Sequence, residues 1–232
     1  MSKLLEAIEI ETGKNPTAAV IWMHGLGADG NDFVPIVNEL DLSGTPPTRF
    51  VFPHAPKRPV TINNGFVMRA WYDISLGDLE GNSRRADAAG VRESQEQIHA
   101  LIEREMKRGV AAGRIVLAGF SQGGAMALHT GLRYPEKLAG IMALSTYLPL
   151  AESLAPEAAA ANKATPVFMA HGTFDPVVPL VMGAGSMTFL AGLGYKVEWK
   201  QYPMQHSVCA EEIEDVGEWL RRVLRQQEAV RG

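Results

Sequence analysis

Residues 114–124 read Arg-Ile-Val-Leu-Ala-Gly-Phe-Ser-Gln-Gly-Gly, and this stretch decides the fold. The apolar run Arg114–Ala118 predicts a buried strand, and the small residues after Ser121 predict the start of a helix. Gly-x-Ser-x-Gly between a strand and a helix indicates a turn so sharp that the serine takes a strained backbone conformation. Such a turn lifts the serine oxygen clear of the sheet, and its main chemical use is acyl transfer. The alternative is a serine that only caps the helix.

Apolar runs and helical patterns alternate along the rest of the chain. Uninterrupted apolar runs are typical of strands buried on both faces of a parallel sheet. Such runs predict strands at Ala18–Met23, Arg49–Phe52, Ile115–Ala118, Ala139–Leu144, Pro166–Ala170 and Lys196–Gln201. Helical spacing predicts helices at Arg84–Arg108, Gly123–Tyr134, Met182–Ala191 and Cys209–Gln226. The alternation predicts one α/β domain over residues 1–232, with a mostly parallel central sheet and helices on both faces.

Two segments lack this regularity. His54–Ser83 contains several prolines, asparagines and glycines without a clear period, so we predict an irregular loop that shapes a substrate site. Ala151–Ala161 is rich in alanine and glutamate and predicts a short surface helix.

Composition and charge exclude several classes of protein. With 46% hydrophobic and 21% charged residues, the chain can bury a sizeable core. The net charge of −4 argues against a nucleic-acid partner, since phosphate binding needs a basic surface. A single cysteine, Cys209, permits no intramolecular disulfide and no cysteine-based zinc site, and we expect it in the core. The N-terminal residues are acidic, and no apolar run approaches the ~18 residues that span a bilayer. We therefore expect no stable membrane insertion and a cytoplasmic location.

A serine nucleophile needs a base within reach and a carboxylate that orients the base. In a fold of this kind the acid and the histidine follow the serine in that order, on loops after later strands. Three histidines follow Ser121. His129 lies about two turns along the helix that begins at the serine, too far to reach back. His171 directly closes one strand, whereas His206 lies on the loop before the last predicted helix.

We therefore assign Ser121 as the nucleophile, His206 as general base and then general acid, and Asp175 as the carboxylate that orients His206. Two alternatives remain. Asp175 is also suited to forming a turn ahead of Pro176, and His206 to an exposed position at a helix N-terminus. His171 is expected to make structural hydrogen bonds beside the site.

The oxyanion that forms on the substrate needs preorganised N–H donors. One predicted donor is the backbone N–H of Gln122, the residue after the nucleophile, at a helix N-terminus. The second is expected from the Gly-rich turn at residues 24–30, with Leu26 as the first choice and Gly27 as the alternative. A plain Gly-rich turn without this role is the other interpretation.

Five motifs in order along most of the chain carry a resemblance to a known family. They are His24–Gly27 with Asp32-Phe33, Trp71–Asp73, Gly119–Gly124, His171–Pro179 and His206–Val208. The chain resembles the phospholipase/carboxylesterase family of small α/β-hydrolases, which includes bacterial carboxylesterases and acyl-protein thioesterases. The resemblance implies an α/β-hydrolase fold without a separate cap domain. It also places the catalytic triad and the oxyanion donors at the residues assigned above.

The resemblance further implies an activity and a substrate pocket. The expected activity is hydrolysis of short- to medium-chain carboxylic esters, small-molecule substrates, through an acyl-enzyme and without a metal or other cofactor. The alternative is an acyl-protein thioesterase or lysophospholipase acting on longer chains. A catalytically inactive binding module is a third hypothesis, which the intact triad disfavours. Family members often form dimers, so a weak homodimer is expected. The implied borders of the acyl pocket are Ile74, Leu76, Tyr147, Val181 and Met182, with Tyr147 standing where many relatives carry tryptophan.

Overall fold

The computed structural model describes residues 4–79 and 87–225, which contain nine strands and seven α-helices. The strands are β1 (Ala7–Glu11), β2 (Ala18–Met23), β3 (Thr48–Pro53), β4 (Lys57–Val60), β5 (Phe66–Arg69), β6 (Ile115–Phe120), β7 (Gly140–Leu144), β8 (Val167–Gly172) and β9 (Val197–Tyr202). The helices are α1 (Ile36–Glu39), α2 (Leu76–Leu79), α3 (Ala88–Lys107), α4 (Gln122–Gly131), α5 (Leu154–Glu157), α6 (Leu180–Gly192) and α7 (Ala210–Arg225).

Seven of these strands form one sheet in the order β1-β3-β2-β6-β7-β8-β9. β1 pairs with β3 in antiparallel fashion, and every other neighbouring pair in the sheet is parallel. Side chains alternate across the sheet, so Ile21 and Leu117 enter a core with α3 and α4, while Val20 and Val116 enter a core with α7. The predicted α/β fold with a mostly parallel sheet and helices on both faces is confirmed. In the described ranges no separate cap domain stands over the sheet.

The two edges of the sheet differ from the prediction. β1 was not predicted, because its sequence Ala-Ile-Glu-Ile-Glu alternates and its residues are mostly half-buried, as an antiparallel edge strand requires. The strand predicted at Lys196–Gln201 exists as β9, but the expectation that it is buried on both faces is wrong. It forms the opposite edge and its residues are mostly half-buried.

The segment His54–Ser83 is more regular than predicted. β4 and β5 form a separate antiparallel hairpin, and the helical turn α2 follows it. Strands of four residues are too short to show a period in the sequence, and Pro59 lies inside the first of them. Residues 80–83 of the predicted loop lie outside the described residues.

Other predicted helices shift at their ends. The surface helix predicted at Ala151–Ala161 is wrong, since the structure has a single α-helical turn, α5, between two short 3-10 turns, and Leu154 is fully buried there. The helix predicted at Gly123–Tyr134 is α4, which ends at Gly131. Residues 84–86 of the helix predicted at Arg84–Arg108 lie outside the described residues. The same holds for Gln226, the last residue of the helix predicted at Cys209–Gln226.

The turn between β6 and α4 leaves no room for side chains on either side of the serine. Ser121 has φ 54° and ψ −122°, a conformation that residues other than glycine rarely adopt. A methyl group on Gly119 would overlap the Gly123 backbone, and one on Gly123 would overlap the carbonyl of Met23. Glycine at both positions therefore lets α4 begin directly against β6 and the end of β2.

A Gly123→Ala variant tests this packing. We expect it to lower the free energy of unfolding by about 2–3 kcal/mol, because the added methyl group meets backbone that cannot move aside cheaply. Gly185→Ala in α6 is the matched control, since nothing lies within 4 Å of its added carbon. Helix propensity predicts that this control gains about 0.5–1 kcal/mol. Equal urea stability of the two variants would contradict the account of the turn.

A buried acid lies in the first turn of α7. The Glu212 side chain is fully buried, and burial raises the pKa of its carboxyl from the ordinary 4.5 to about 8, with the Asp215 carboxylate adding to the shift. Between these two pH values the folded chain holds a proton that the unfolded chain has released. The protonated Glu212 therefore contributes to the free energy of unfolding at low pH. That contribution is lost as the pH rises from 4.5 toward 8.

Glu212→Gln replaces this acid by a neutral side chain of nearly the same shape. We expect the variant to lose part of the decline in stability that wild type shows between pH 6 and pH 8.5, measured by urea unfolding at several pH values. Glu211→Gln, at the exposed neighbouring position, is expected to keep the wild-type slope. A wild-type slope in Glu212→Gln would show that the buried carboxyl is not the titrating group.

Candidate active site

The carboxyl ends of the parallel strands bring three predicted residues together. Ser121 lies at the turn between β6 and α4, Asp175 follows β8, and His206 lies between β9 and α7. The Oγ of Ser121 is 2.9 Å from Nε2 of His206, and Nδ1 of His206 is 2.7 Å from Oδ2 of Asp175. The side chains therefore form one continuous chain of hydrogen bonds.

The carboxylate of Asp175 is fixed by its own loop. Its Oδ1 accepts the backbone N–H groups of Val177 at 2.8 Å and Val178 at 2.9 Å, which leaves Oδ2 for His206. The side chain is fully buried, so these partners offset the cost of taking a carboxylate out of water. Because a carboxylate only accepts, the Nδ1 of His206 carries the proton and its Nε2 lone pair faces Ser121.

His171 braces the same loop. Its Nε2 donates to the Val178 carbonyl at 2.9 Å and lies 3.5 Å from Oδ2 of Asp175. Burial lowers the pKa of His171 below its usual value, which keeps the ring neutral. These contacts agree with the structural hydrogen bonds expected of it. His129, in contrast, bonds Gln95 at 2.8 Å within the core and is remote from the triad, as expected.

Backbone contacts hold the strained serine in place. The Ser121 N–H donates to the Leu144 carbonyl at 2.8 Å, and the Ser121 carbonyl accepts from Oγ1 of Thr146 at 2.7 Å. Thr146 was not predicted as a site residue. The available signal was its position directly after a parallel strand, where site residues of such sheets gather.

Hydrogen bonds in the Gly-rich turn after β2 distinguish Leu26 from Gly27, the two candidates for the second oxyanion donor. The N–H of Gly27 donates to the Arg69 carbonyl at 2.9 Å, so it is already engaged. The N–H of Leu26 has no hydrogen-bond partner within residues 4–79 and 87–225. The N–H of Gln122 is the first of α4 and lacks an intrahelical acceptor. Leu26 and Gln122 therefore keep donors available beside Ser121, and Gly27 does not.

His24 shapes this turn. Its Nδ1 donates to the Gly25 carbonyl at 2.7 Å, and its Nε2 accepts the N–H of Ala55 at 3.1 Å. Only a neutral imidazole can donate at one nitrogen and accept at the other. Burial lowers the pKa of His24 to about 4, consistent with this neutral form. The indole of Trp71 adds a hydrogen bond to the His24 carbonyl at 2.9 Å.

The side chain of Gln122 performs a second task that the sequence did not reveal. Its Oε1 accepts the N–H of Trp71 at 2.7 Å, and its Nε2 donates to the Tyr72 carbonyl at 2.8 Å. The residue after the nucleophile thus anchors the Trp71–Asp73 segment to the start of α4. No sequence pattern signals this bond, because the partners are about fifty residues apart.

A cavity of about 300 Å³ lies between α6 and the segment after β7, and we call it the acyl cavity. Tyr147, Val181 and Met182, three of the residues predicted to border the acyl pocket, line it, and the Tyr147 hydroxyl is 2.9 Å from that of Tyr72. Ile74 and Leu76, the other two residues predicted to border the acyl pocket, are not part of its lining. Ile74 packs against Val60 and Ala70 beneath the hairpin of β4 and β5, and Leu76 is largely exposed on α2.

The arrangement is suited to acyl transfer, since a serine with a base, an orienting carboxylate and free N–H donors meets the requirements of that chemistry. In the part of the chain that the structure describes, no three His, Cys, Asp or Glu side chains gather as metal ligands would. Across the same residues, no helix is both long and apolar enough to cross a bilayer.

Comparison with known proteins gives one family and consistent relatives. The sequence profile of the family described as Phospholipase/Carboxylesterase matches residues 5–224. The chain is 43% identical over 214 residues to acyl-protein thioesterase 1 of Gibberella zeae, covering 90% of this chain and 91% of that protein. It is 44% identical over 218 residues to acyl-protein thioesterase 1 of Neurospora crassa, covering 88% of this chain and 86% of that one.

Solved structures agree with these matches. The crystal structure of Arabidopsis thaliana SOBER1 has a TM-score of 0.82 and 33% identity, and the alignment covers 90% of this chain and 99% of that chain. The crystal structure of Zea mays acyl-protein thioesterase 2 has a TM-score of 0.81 and 28% identity, covering 94% and 99%.

An Asp175→Asn variant tests the hydrogen-bond chain. We expect kcat for p-nitrophenyl butyrate to fall by roughly 10⁴, because the amide favours the wrong tautomer of His206. The exposed Asp41 carboxylate accepts a hydrogen bond from Arg221 outside the triad, so Asp41→Asn is the matched control and is expected to retain wild-type kcat. Near-full activity in Asp175→Asn, with an unchanged urea midpoint, would exclude Asp175 as the orienting carboxylate.

Proposed function

The chain belongs to the phospholipase/carboxylesterase family of serine hydrolases, and on that basis we propose that it hydrolyses acyl thioesters with Ser121, His206 and Asp175 as its triad. The observation that carries the proposal is the chain of hydrogen bonds from the serine hydroxyl to the buried carboxylate. The names of relatives that are 43% and 44% identical favour a thioester as the substrate bond.

In the first half of the proposed reaction, Ser121 Oγ attacks the thioester carbonyl while His206 Nε2 takes the hydroxyl proton. The N–H groups of Leu26 and Gln122 receive the oxyanion of the tetrahedral intermediate. His206 then returns its proton to the sulfur as the carbon–sulfur bond breaks. The thiol leaves, and the acyl group remains on the serine.

In the second half, water takes the place of the thiol. His206 removes a proton from the water as it attacks the acyl-enzyme, and the same N–H donors stabilise the second intermediate. Asp175 stabilises the imidazolium in both halves without becoming protonated. The acid leaves and Ser121 regains its proton.

The acyl cavity supports a medium-length chain. Its volume is about 300 Å³. A water molecule takes up about 30 Å³ in the liquid and is similar in size to a methylene group, so the cavity holds roughly ten such units. We therefore propose acyl chains of about eight to ten carbons. The polar hydroxyl pair of Tyr72 and Tyr147 in the wall suits this length better than a long apolar channel would.

A second candidate is a carboxylesterase acting on oxygen esters of short to medium chains. The same cavity suits this candidate equally, because the cavity would hold the acyl chain and does not contact the leaving atom. Lysophospholipids, whose acyl chains are longer, fit this volume less well.

The proposal extends to organisation and location. We propose that residues 1–232 form one domain that acts in the cytoplasm, and that two copies form a weak homodimer. The two cores on either face of one sheet support the single domain, and the single free cysteine is compatible with a reducing compartment.

The test uses matched acyl donors. Peptides with S-acyl cysteine or O-acyl serine at the same position are prepared with chains of four to sixteen carbons, and each kcat/KM is divided by the spontaneous rate. We expect a maximum near eight to ten carbons and at least a tenfold preference for the thioester. The Ser121→Ala variant is the control and is expected to be inactive on every substrate.

Each other outcome has a definite meaning. A preference for oxygen esters would support the carboxylesterase candidate. A maximum at sixteen carbons would contradict the proposed chain length. Hydrolysis that persists in Ser121→Ala, or its complete absence in wild type, would contradict both candidates.

A further inference from the structure

A second cavity, which we call the His206 cavity, lies against the catalytic histidine. Its volume is about 540 Å³ and it shares no lining residue with the acyl cavity. Phe120 and His206 form part of its wall, with ring centroids 4.7 Å apart. The wall is completed from two directions, by the segment around α1 and by the start of α7 at Ala210.

The proposed reaction requires the leaving group to contact His206. The imidazole must hand its proton to the leaving sulfur, so that atom and its substituents lie within reach of Nε2. In the proposed function the acyl chain binds in the acyl cavity, which Tyr147 and Val181 line. The substituent on the sulfur must then extend elsewhere, and the His206 cavity offers a space with the histidine in its wall.

The lining of this cavity carries negative charge. Asp32 and Glu39 belong to its lining, and no lysine or arginine does. Neither carboxylate forms an ion pair with a cation within the two described ranges. Apolar side chains such as Ile36 and Val208 make up much of the remaining wall.

We propose that the His206 cavity is the leaving-group site, and that it selects thiols that carry a cationic side chain, such as cysteinyl peptides with lysine or arginine next to the acylated cysteine. This assignment rests on the proposed function and specifies its substrate class. The apolar wall packs against the peptide, while Asp32 and Glu39 supply the charge that the cation needs.

The state of Asp32 is in keeping with this role. Asp32 is partly exposed, and its partial loss of solvent, with a contribution from the Asp29 carboxylate, raises the pKa of Asp32 above its usual value. A bound cation would oppose that shift and stabilise the charged form.

The chemical step needs no additional reactant. As the tetrahedral intermediate collapses, the carbon–sulfur bond breaks and its electron pair goes to sulfur. The proton on His206 Nε2 moves to the same sulfur, so a neutral thiol leaves. The cationic side chain takes part only in binding, and it lowers the energy of the transition state by holding the leaving group beside the imidazole.

The first experiment varies the charge of the peptide substrate and the charge of the His206 cavity. Two octanoyl-cysteine peptides differ only in lysine or glutamine at the two positions flanking the cysteine. We expect wild type to prefer the lysine peptide by about three- to tenfold in kcat/KM. In the Asp32→Asn, Glu39→Gln double variant this ratio is expected to fall to within twofold of one, and 0.5 M NaCl is expected to weaken it in wild type.

A matched control separates this effect from general loss of negative charge. Glu103→Gln removes an exposed carboxylate from α3, outside the His206 cavity, and is expected to keep the wild-type ratio. A ratio that stays high in the double variant, or a wild-type ratio of one, would overturn the selection of cations.

The second experiment tests where the leaving group binds, independently of its charge. Ala210→Trp places an indole in the His206 cavity, and we expect it to reduce kcat/KM for the glutamine peptide at least tenfold more than for octanoyl methanethiol ester, whose leaving group is small. Ala111→Trp, at an exposed alanine outside both cavities, is the control and is expected to give equal changes for the two substrates. Equal losses in Ala210→Trp would overturn the leaving-group assignment.

These outcomes are distinct from failure of the proposed function. If octanoyl methanethiol ester is not hydrolysed in a manner that depends on Ser121, the function itself is wrong. A different result would leave the function intact: the ester is hydrolysed, wild type shows no preference for the lysine peptide, and Ala210→Trp affects both leaving groups equally. In that case only the assignment of the His206 cavity is wrong.

Discussion

The site depends on the close approach of three pieces of backbone at the serine turn. Gly119 and Gly123 allow α4 to begin directly against β6, and Gly123 rests on the carbonyls that end β2. The same approach brings the turn after β2 beside the nucleophile, so that a methyl group on Gly25 would lie 3.4 Å from the Ser121 Cβ. Two distant segments, the turn after β2 and the start of α4, therefore meet beside the serine.

Buried polar groups then fix the positions of the reacting atoms. His24 donates to the Gly25 carbonyl and accepts the N–H of Ala55, and one oxygen of Asp175 accepts two backbone N–H groups. Partners of this kind are required because unpaired polar groups are costly in the interior. The consequence is a preorganised site in which little has to move before Ser121 attacks.

The sequence was most informative where a local constraint dictates the residue type. The serine turn needs small flanking residues, and the order of acid and histidine follows from the parallel strands, so Ser121, Asp175 and His206 could be identified together. Contacts between distant segments left no such trace, and the clamp that Gln122 forms on Trp71 is an example. Ile74 and Leu76 were predicted at the acyl pocket from resemblance alone, and the structure packs Ile74 beneath the hairpin of β4 and β5, in a cluster that Tyr147 also contacts. Edge strand β1 was missed because its alternation is typical of a half-buried strand rather than a central one.

The most direct test of the central claim is to identify the residue that reacts with an acyl-transfer inhibitor. The protein is treated with p-nitrophenyl octylphosphonate, and the modified peptide is located by mass spectrometry while residual hydrolysis of an octanoyl thioester is followed. The account predicts one phosphonyl group per chain, on Ser121, with activity lost in proportion to modification. Loss of activity without modification of Ser121, or full activity after Ser121 is modified, would contradict it.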